Sequence, residues 1–351
     1  MRQTIWSLIF AAAATPALLV GACGGDDTSV RPATDGGLPD TSTKPDAAVD
    51  PLARGKYIVD TLASCGDCHT PRKSDGSPDM TKYLAGNSCF IGTDKSGDAG
   101  GPGPGCLSAP NLTNHADGLK NVTVDQEIKD MFQHGKRPDG KFLNSPMPYW
   151  VYANMTDADA NAVVAYLRTV PGVANRPTPN QPPWTNVPAP TPPIDLNTVP
   201  APEKEGNPDY ESQMRGRYLA AVASACIECH TPEKEGAPPG QVDRSKWFAG
   251  KRAYDSKSLG LPQDKFPAQI FSANLTSDLS TGLGGYSLEQ IVRVIKQGQD
   301  KDGKGICPPM PAGPRGSYVN MSDDDARDIA RYLKSLPPIV NARTDCVAPG
   351  P

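Results

Sequence analysis

A pair of cysteines followed directly by a histidine occurs twice in this 351-residue chain. The pattern C-x-x-C-H is formed by Cys65–His69 and, in the second half, by Cys226–His230. Two thiols at this spacing can add to the two vinyl groups of a haem, while the adjacent histidine binds the iron from one face. The two motifs therefore predict two covalently bound haem c groups. The residues with these roles are Cys65, Cys68, His69, Cys226, Cys229 and His230.

Two other kinds of cysteine site explain the pattern less well. A thioredoxin-like C-x-x-C needs no histidine after its second cysteine. A structural zinc site needs two further sulfur or nitrogen ligands at suitable spacing in each copy. Neither alternative accounts for a motif that is repeated within a longer matching context.

Methionine is the expected ligand on the other face of each iron. Apart from the two motif histidines, the chain contains only His115 and His134, and both lie in the first half. The second haem therefore cannot be ligated by two histidines of this chain. Met147 and Met310 each lie between two prolines, which hold a thioether in a rigid, extended loop. We expect these two methionines to be the distal ligands.

Met155 and Met321 form a competing pair, because they are also repeated. Each lies just before a helix cap, where a hydrophobic residue is expected to pack on the first turn. His115 and His134 have no histidine counterpart in the second half and are assigned to surface or hydrogen-bonding roles. A second histidine ligand in the first half would lower the reduction potential of that haem and favour an enzymatic function.

The nine cysteines divide among three roles. Four belong to the haem motifs and Cys23 lies in a lipidation signal, which leaves an even number in a protein that is expected to be exported. Four thiols allow three pairings, and one candidate pair lies in each half. We expect disulfides between Cys89 and Cys106 and between Cys307 and Cys346; the alternative is that some of these thiols remain free.

The first 50 residues contain an export signal and no candidate core. An apolar stretch over residues 5–20 is too short for a comfortable membrane span and is typical of a signal peptide. Val20–Cys23 resembles a bacterial lipobox, so we expect a signal peptide over 1–22 and a flexible tether over 23–50. The protein is then lipid-anchored at Cys23 on the periplasmic side of a bacterial membrane. An ordinary cleavage site followed by a stray thiol is the alternative.

The haem motif is one part of a tandem repeat. Elements of two to five residues recur in the same order in both halves, which indicates a duplicated domain. The matching pairs are Arg54–Tyr57 with Arg215–Tyr218, Lys82–Gly86 with Lys246–Gly250, Asn111–Thr113 with Asn274–Thr276, Asp139–Lys141 with Asp302–Lys304, and Met147–Pro148 with Met310–Pro311.

Three helix signals recur in each half. The first helix begins at Asp50 in the first half and leads into the haem motif. The second begins at Thr123 or Ser287, each followed three residues later by glutamine, as in a capping box. The third begins at Thr156 or Ser322 before a run of aspartates. No alternating run of β-branched residues is present, so the predicted class is all-α.

The expected domains are 51–175 and 210–351, joined by a connector over 176–209. Eleven prolines fall between residues 177 and 208, which is typical of a semi-rigid, extended segment. The connector either sets the distance between the two haems or lies against one domain. The net charge of −4 argues against nucleic acid and favours a partner with a basic docking patch.

These elements together resemble the class I cytochrome c domains, and most of all those in the cytochrome subunits of periplasmic alcohol and gluconate dehydrogenases. The resemblance extends from about Leu52 to Pro171 and from Met214 to Pro338. It implies two tandem class I domains, each with about three main helices around a covalently bound haem. Those dehydrogenase subunits have three such domains, whereas this chain has two.

The resemblance implies a periplasmic dihaem cytochrome c that transfers single electrons between a donor dehydrogenase and a respiratory acceptor. Such a protein is not itself an enzyme, and its partners are a periplasmic dehydrogenase, a terminal oxidase or another cytochrome. The alternative is a dihaem cytochrome c peroxidase, which needs a ligand that can leave one iron and acid/base groups above it. A third possibility is a haem subunit that acts only inside a larger dehydrogenase.

Overall fold

The computed structural model describes residues 50–92, 105–256 and 266–346, apart from positions 75, 183, 186, 188, 237–240, 315 and 345. The expected signal peptide, the anchor at Cys23 and the tether up to residue 49 lie outside the described residues. Within the described ranges, no helix is long and apolar enough to cross a membrane.

The described part of the chain is rich in helix, as its sequence indicates. The helices are α1 Pro51–Tyr57, α2 Cys65–His69, α3 Asp125–His134, α4 Tyr149–Tyr152, α5 Asp157–Thr169, α6 Tyr210–Tyr218, α7 Cys226–Cys229, α8 Leu288–Gln297 and α9 Asp323–Ser335. Two π-helical segments, Ile58–Leu62 and Leu219–Ala223, continue α1 and α6 toward the haem motifs. Short 3-10 turns are Met80–Lys82, Leu119–Asn121, Leu196–Thr198 and Ser317–Asn320.

Most of the predicted helix starts are confirmed. Thr156 caps α5 and Ser322 caps α9 through their side-chain oxygens, which accept backbone N–H groups at 3.2 and 3.1 Å. Ser287 and Gln290 form the complete capping box of α8. The predicted start of the second helix at Thr123 is wrong, because the chain is still extended at Val124, the N-cap residue of α3.

The first and last helices of each half pack at very close range. A Cβ atom added to Gly55 of α1 would lie 1.9 Å from the carbonyl oxygen of Ala162 in α5. In the second half, a Cβ atom on Gly216 of α6 would lie 1.9 Å from the carbonyl oxygen of Asp328 in α9. The helices can approach this closely only because these positions have no side chain. The glycine of the repeated Arg-Gly-x-Tyr element therefore has a packing role.

Two short pairs of antiparallel strands accompany the helices. Strand β1, Asn87–Gly92, pairs with β2, Cys106–Ala109, and strand β3, Ala253–Asp255, pairs with β4, Gln269–Phe271. The all-α prediction did not include these pairs, because the strands are short and do not alternate apolar with polar residues. Disulfides join Cys89 to Cys106, which links β1 to β2, and Cys307 to Cys346.

The proline-rich connector contacts both halves of the repeat. On the first half, the backbone N–H of Ile194 donates to the carbonyl oxygen of Trp150 at 3.0 Å. On the second half, the buried Arg217 donates to the carbonyl oxygen of Val199 at 2.9 Å. Ile194 and Val199 are each only 2% exposed. The described part of the connector is therefore packed onto both domains and not onto one alone.

We expect Gly55→Ala to lower the free energy of unfolding by about 1–3 kcal/mol or more, because the added methyl group must push α1 away from α5. Denaturant unfolding followed by circular dichroism measures the change. Gly285→Ala is the matched control, since a Cβ atom there meets no atom within 4 Å. Equal losses of stability in the two variants would contradict the close-packing role of Gly55.

Candidate functional site

Each C-x-x-C-H motif forms a single helical turn that follows a residue in the left-handed conformation. Ser64 (φ +50°) precedes α2, and Ala225 (φ +48°) precedes α7. Within each turn the two cysteines are three residues apart, so their side chains lie on the same side of the helix. Two thiols on one side of a helical turn can both reach the vinyl groups of a single haem. Of the cysteines that the structure describes, these four are not disulfide-bonded: Cys65, Cys68, Cys226 and Cys229.

The histidine of each motif is buried and oriented by a backbone carbonyl. His69 Nδ1 lies 2.8 Å from the carbonyl oxygen of Pro110, and His230 Nδ1 lies 2.7 Å from that of Ala273. A carbonyl oxygen can only accept, so the proton is on Nδ1 and the lone pair is on Nε2. Metal-binding histidines are commonly held in this way, with the second nitrogen free for the metal.

Burial keeps both imidazole rings neutral at ordinary pH. It lowers the pKa of His69 and lowers the pKa of His230 to about 4. A neutral ring keeps its lone pair available to a metal, whereas a protonated ring would repel one. The protonation state and the tautomer of both histidines therefore suit binding to iron.

The repeated Asn-Leu-Thr elements hold the two acceptor carbonyls in place. Asn111 follows Pro110 directly; its side-chain oxygen accepts the N–H of Thr113 at 2.8 Å, and its amide donates to the carbonyl oxygen of Val173 at 2.9 Å. Asn274 makes the same two kinds of bond in the second half. Both asparagines are only 2% exposed. The repeat in the sequence predicts the motif but not this role.

A second repeated element supports each histidine from its backbone side. The N–H of Gly86 donates to the carbonyl oxygen of His69 at 2.7 Å, and the N–H of Gly250 donates to that of His230 at 2.7 Å. Both glycines have positive φ, which favours glycine. A Cβ atom on Gly250 would lie 2.4 Å from the backbone of Ala273. The glycine thus lets two loops meet beside the histidine.

The two candidate methionine pairs occupy different environments. Met147 and Met310 are partly buried; Met147 lies in the loop before α4, and Met310 lies in the loop before the 3-10 turn Ser317–Asn320. Met155 and Met321 are 6% and 1% exposed and belong to the hydrophobic core. This core position is the one expected of a residue that packs on the first turn of a helix.

The two remaining histidines lie toward the surface. The side chain of His115 is about one third exposed and lies 3.1 Å from the carboxylate of Asp117. His134 is exposed at the last position of α3. These placements agree with surface and hydrogen-bonding roles.

A glutamate of the second motif forms a partly buried ion pair. Arg252 Nη1 lies 2.7 Å from Glu228 Oε1, and these side chains are 13% and 16% exposed. The other oxygen of Glu228 lies 2.9 Å from Cys229 Sγ. In the first half, Asp67 occupies the position of Glu228, and Ser88 occupies the position of Arg252. The matching positions of the repeat do not predict this difference.

The donor set fits a haem at each motif. Burial raises the pKa of the Cys65, Cys68 and Cys226 thiols to about 12 and raises that of Cys229 well above its usual value. Each motif therefore offers two neutral thiols on one side of a helical turn and a neutral imidazole with a free Nε2. Thioether formation with vinyl groups and binding to iron require these groups.

Comparison with known proteins finds the same kind of domain twice. The family model described as Cytochrome c matches residues 52–171 and 214–337. The chain is 28% identical over 310 residues to the cytochrome c subunit of a quinone alcohol dehydrogenase from Gluconacetobacter polyoxogenes. It is 29% identical over 307 residues to the corresponding subunit from Gluconobacter oxydans. A diheme cytochrome c-type protein from Cereibacter sphaeroides is 32% identical over 123 residues.

The extent of these matches differs between the proteins. The first two alignments cover 84% and 82% of this chain, but only 58% and 55% of the relatives' own lengths. The third covers 34% of this chain and 36% of the relative. The chain thus spans little more than half the length of the dehydrogenase subunits that it matches. The comparisons confirm the resemblance and support two covalently bound haem c groups.

We expect Arg252→Gln to lower the reduction potential of the second haem by an amount on the order of tens of millivolts. The substitution leaves the carboxylate of Glu228 without its partner, and the extra negative charge favours the ferric state. A spectroelectrochemical titration measures both potentials. Arg72→Gln is the matched control, because Arg72 is exposed beside the first motif and solvent screens its charge. A raised or unchanged second potential in Arg252→Gln would contradict this expectation.

Proposed function

The chain belongs to the cytochrome c family, and on that premise we propose that it transfers single electrons through two haems, each ligated by histidine and methionine. The proximal ligands are His69 and His230, and the distal ligands are Met147 and Met310. In this proposal the protein carries electrons from a donor dehydrogenase to a respiratory acceptor and performs no reaction on a substrate of its own.

The observation that carries the proposal is the equivalence of the two histidine sites. In both halves a buried ring donates from Nδ1 to the carbonyl that precedes an Asn-Leu-Thr element, at 2.8 and 2.7 Å. In both halves a methionine between prolines follows the repeated Asp-Gly-Lys element. A peroxidase needs two unlike haems, one of them with an open iron. Two equivalent sites favour electron transfer at both.

In this function the residues of the chain hold and bury the haem ligands and take no part in a chemical reaction. The haem iron supplies the one-electron change between ferric and ferrous states. His69 and His230 are 6% and 8% exposed, so these buried rings would keep water away from the bond that each would make to an iron. The bond from each Nδ1–H to a carbonyl fixes the ring and increases the electron density on Nε2. A rigid ligand set moves little between the oxidation states, which favours fast electron transfer.

We propose a dehydrogenase as the electron donor. The relatives' names support this choice, since they are cytochrome subunits of quinone alcohol dehydrogenases and of a fructose dehydrogenase. The net charge of −4 favours docking on a basic patch of the partner. Whether the protein is a permanent subunit or a mobile carrier is tested by purification with its partner at low and high salt.

We further propose that the protein acts on the periplasmic side of a bacterial membrane, anchored there by a lipid on Cys23. The support is the sequence Val20–Cys23 and the preceding apolar stretch. Incorporation of a labelled fatty acid that is lost in Cys23→Ser tests this proposal. Label that persists in the variant would exclude Cys23 as the modified residue.

We expect Met147→Ala and Met310→Ala each to remove half of the weak near-infrared charge-transfer band of methionine-ligated ferric haem. Each variant loses the sulfur ligand of one iron and keeps the other. Magnetic circular dichroism of the oxidised protein measures the band per haem. Met155→Leu and Met321→Leu are matched controls, because these methionines are core residues and leucine replaces them at similar volume. Loss of the band in a control variant, with the band retained in Met147→Ala, would reverse the assignment.

A further inference from the structure

The tyrosine of the first Arg-Gly-x-Tyr element reaches across to the second half. Tyr57 Oη donates to Asp325 Oδ2 at 2.7 Å and accepts the backbone N–H of Ser322 at 3.0 Å. Both partners lie at the N-terminus of α9. Burial raises the pKa of Tyr57 to about 12, so its hydroxyl stays protonated and can donate.

The tyrosine of the second element makes the reciprocal contact. Tyr218 Oη donates to Asp159 Oδ2 at 2.7 Å and lies 3.4 Å from the backbone nitrogen of Thr156. These partners lie at the N-terminus of α5, the helix that corresponds to α9. The two contacts are therefore related by the repeat, as in an interface between two copies of one surface.

The arginine of each element fixes the carboxylate that the opposite tyrosine contacts. Arg54 binds Asp159 with two hydrogen bonds of 2.7 Å, and Arg215 lies 2.5 Å from Asp325. Asp159 and Asp325 are 7% and 2% exposed. Hydrogen bonds between arginine and a carboxylate are among the stronger ones in proteins. Each element thus orders its own aspartate and binds the aspartate of the other half.

The segments that follow the two tyrosines lead directly to the haem motifs. The π-helical segments Ile58–Leu62 and Leu219–Ala223 contact each other across the interface. Ile58, Val59 and Leu62 are fully buried, as are most residues of the second segment. Ser64, which lies next to Cys65, also contacts Ser317 of the second half through its side-chain oxygen.

Two buried tyrosines show that the interface lies beside both haem motifs. The Tyr152 hydroxyl donates to the carbonyl oxygen of Ala63 at 3.5 Å, and the Tyr318 hydroxyl donates to that of Ser224 at 3.0 Å; each acceptor lies two residues before the first motif cysteine of its half. Helix α4, which contains Tyr152, contacts the segment Leu219–Ala223, and the 3-10 turn that contains Tyr318 contacts the segment Ile58–Leu62. Both motifs therefore begin at the interface.

We propose that the pairs Tyr57–Asp325 and Tyr218–Asp159 hold the two domains in the orientation that permits electron transfer between the haems. These four residues, here called the tyrosine–aspartate pairs, touch neither cysteine nor histidine of the motifs and are positioning residues. The inference rests on the proposed function, because it assumes that electrons pass between the two haems. It also identifies the contacts that control electron transfer between the haems.

The test compares Tyr57→Phe/Tyr218→Phe with the wild-type protein. Phenylalanine keeps the ring and its packing but removes the hydroxyl that bridges the halves. Tyr166→Phe is the matched control, because the Tyr166 hydroxyl contacts Asp60 within the first half at 3.3 Å. Absorption spectra and both midpoint potentials are measured first, to establish that the two haem sites are unchanged.

Two measurements then report on the interface. Exchange of haem-methyl NMR signals in the half-reduced protein gives the rate of electron transfer between the haems. Transfer within one molecule does not depend on protein concentration, whereas transfer between molecules does, so a dilution series distinguishes the two. Pulsed EPR of the oxidised protein gives the distribution of distances between the two irons. We expect the rate in the double variant to fall about tenfold and the distance distribution to broaden, while Tyr166→Phe matches the wild type.

Each outcome decides between the claims. A double variant with the wild-type rate and distance distribution would overturn the positioning role and leave the proposed function intact. A wild-type protein without exchange between its haems would overturn both. If the double variant does not fold with its haems, Tyr57→Phe and Tyr218→Phe are measured singly, and each is expected to slow the exchange about threefold. Wild-type rates in both single variants would also overturn the proposal.

Discussion

The hydrogen bond from each motif histidine to a backbone carbonyl is the constraint on which the two sites depend. It fixes the ring and the tautomer of His69 and His230, and it leaves Nε2 with a lone pair that could bind an iron. The acceptor carbonyl must itself be held still, which explains why a buried asparagine follows it in both halves. In each half, the haem motif and the Asn-Leu-Thr element are therefore far apart in sequence but form one structural unit around the histidine.

The Arg-Gly-x-Tyr element performs three physical tasks within four residues. Its glycine allows the first and last helices of a domain to touch, its arginine neutralises a buried aspartate, and its tyrosine bonds to the other domain. Because the element is duplicated, the same contacts form in both directions across the interface. A duplicated domain can in this way form an interface in which the same surface of each copy binds the other copy.

The sequence predicted the parts of the structure that depend on local patterns. The C-x-x-C-H motifs, the caps at Thr156, Ser322 and Ser287, and the duplication all follow from residues close together in the chain. The acceptors at Pro110 and Ala273 could not be predicted, because a backbone carbonyl has no sequence signature. The Arg252–Glu228 pair was also not predicted, because a repeat reveals the positions that the two halves share and not those that differ. The contacts between the halves were not predicted because they join residues that are distant in sequence.

In the proposed function, both irons carry two protein ligands and exchange electrons without binding a substrate. The first measurement to make is the absorption spectrum of the fully reduced protein under carbon monoxide, because the gas binds readily to ferrous haem with an open or weakly held position. We expect the absorption spectra of both haems to remain unchanged. A haem that binds carbon monoxide promptly at neutral pH would overturn the proposed ligation and indicate that one site is built for chemistry at the iron.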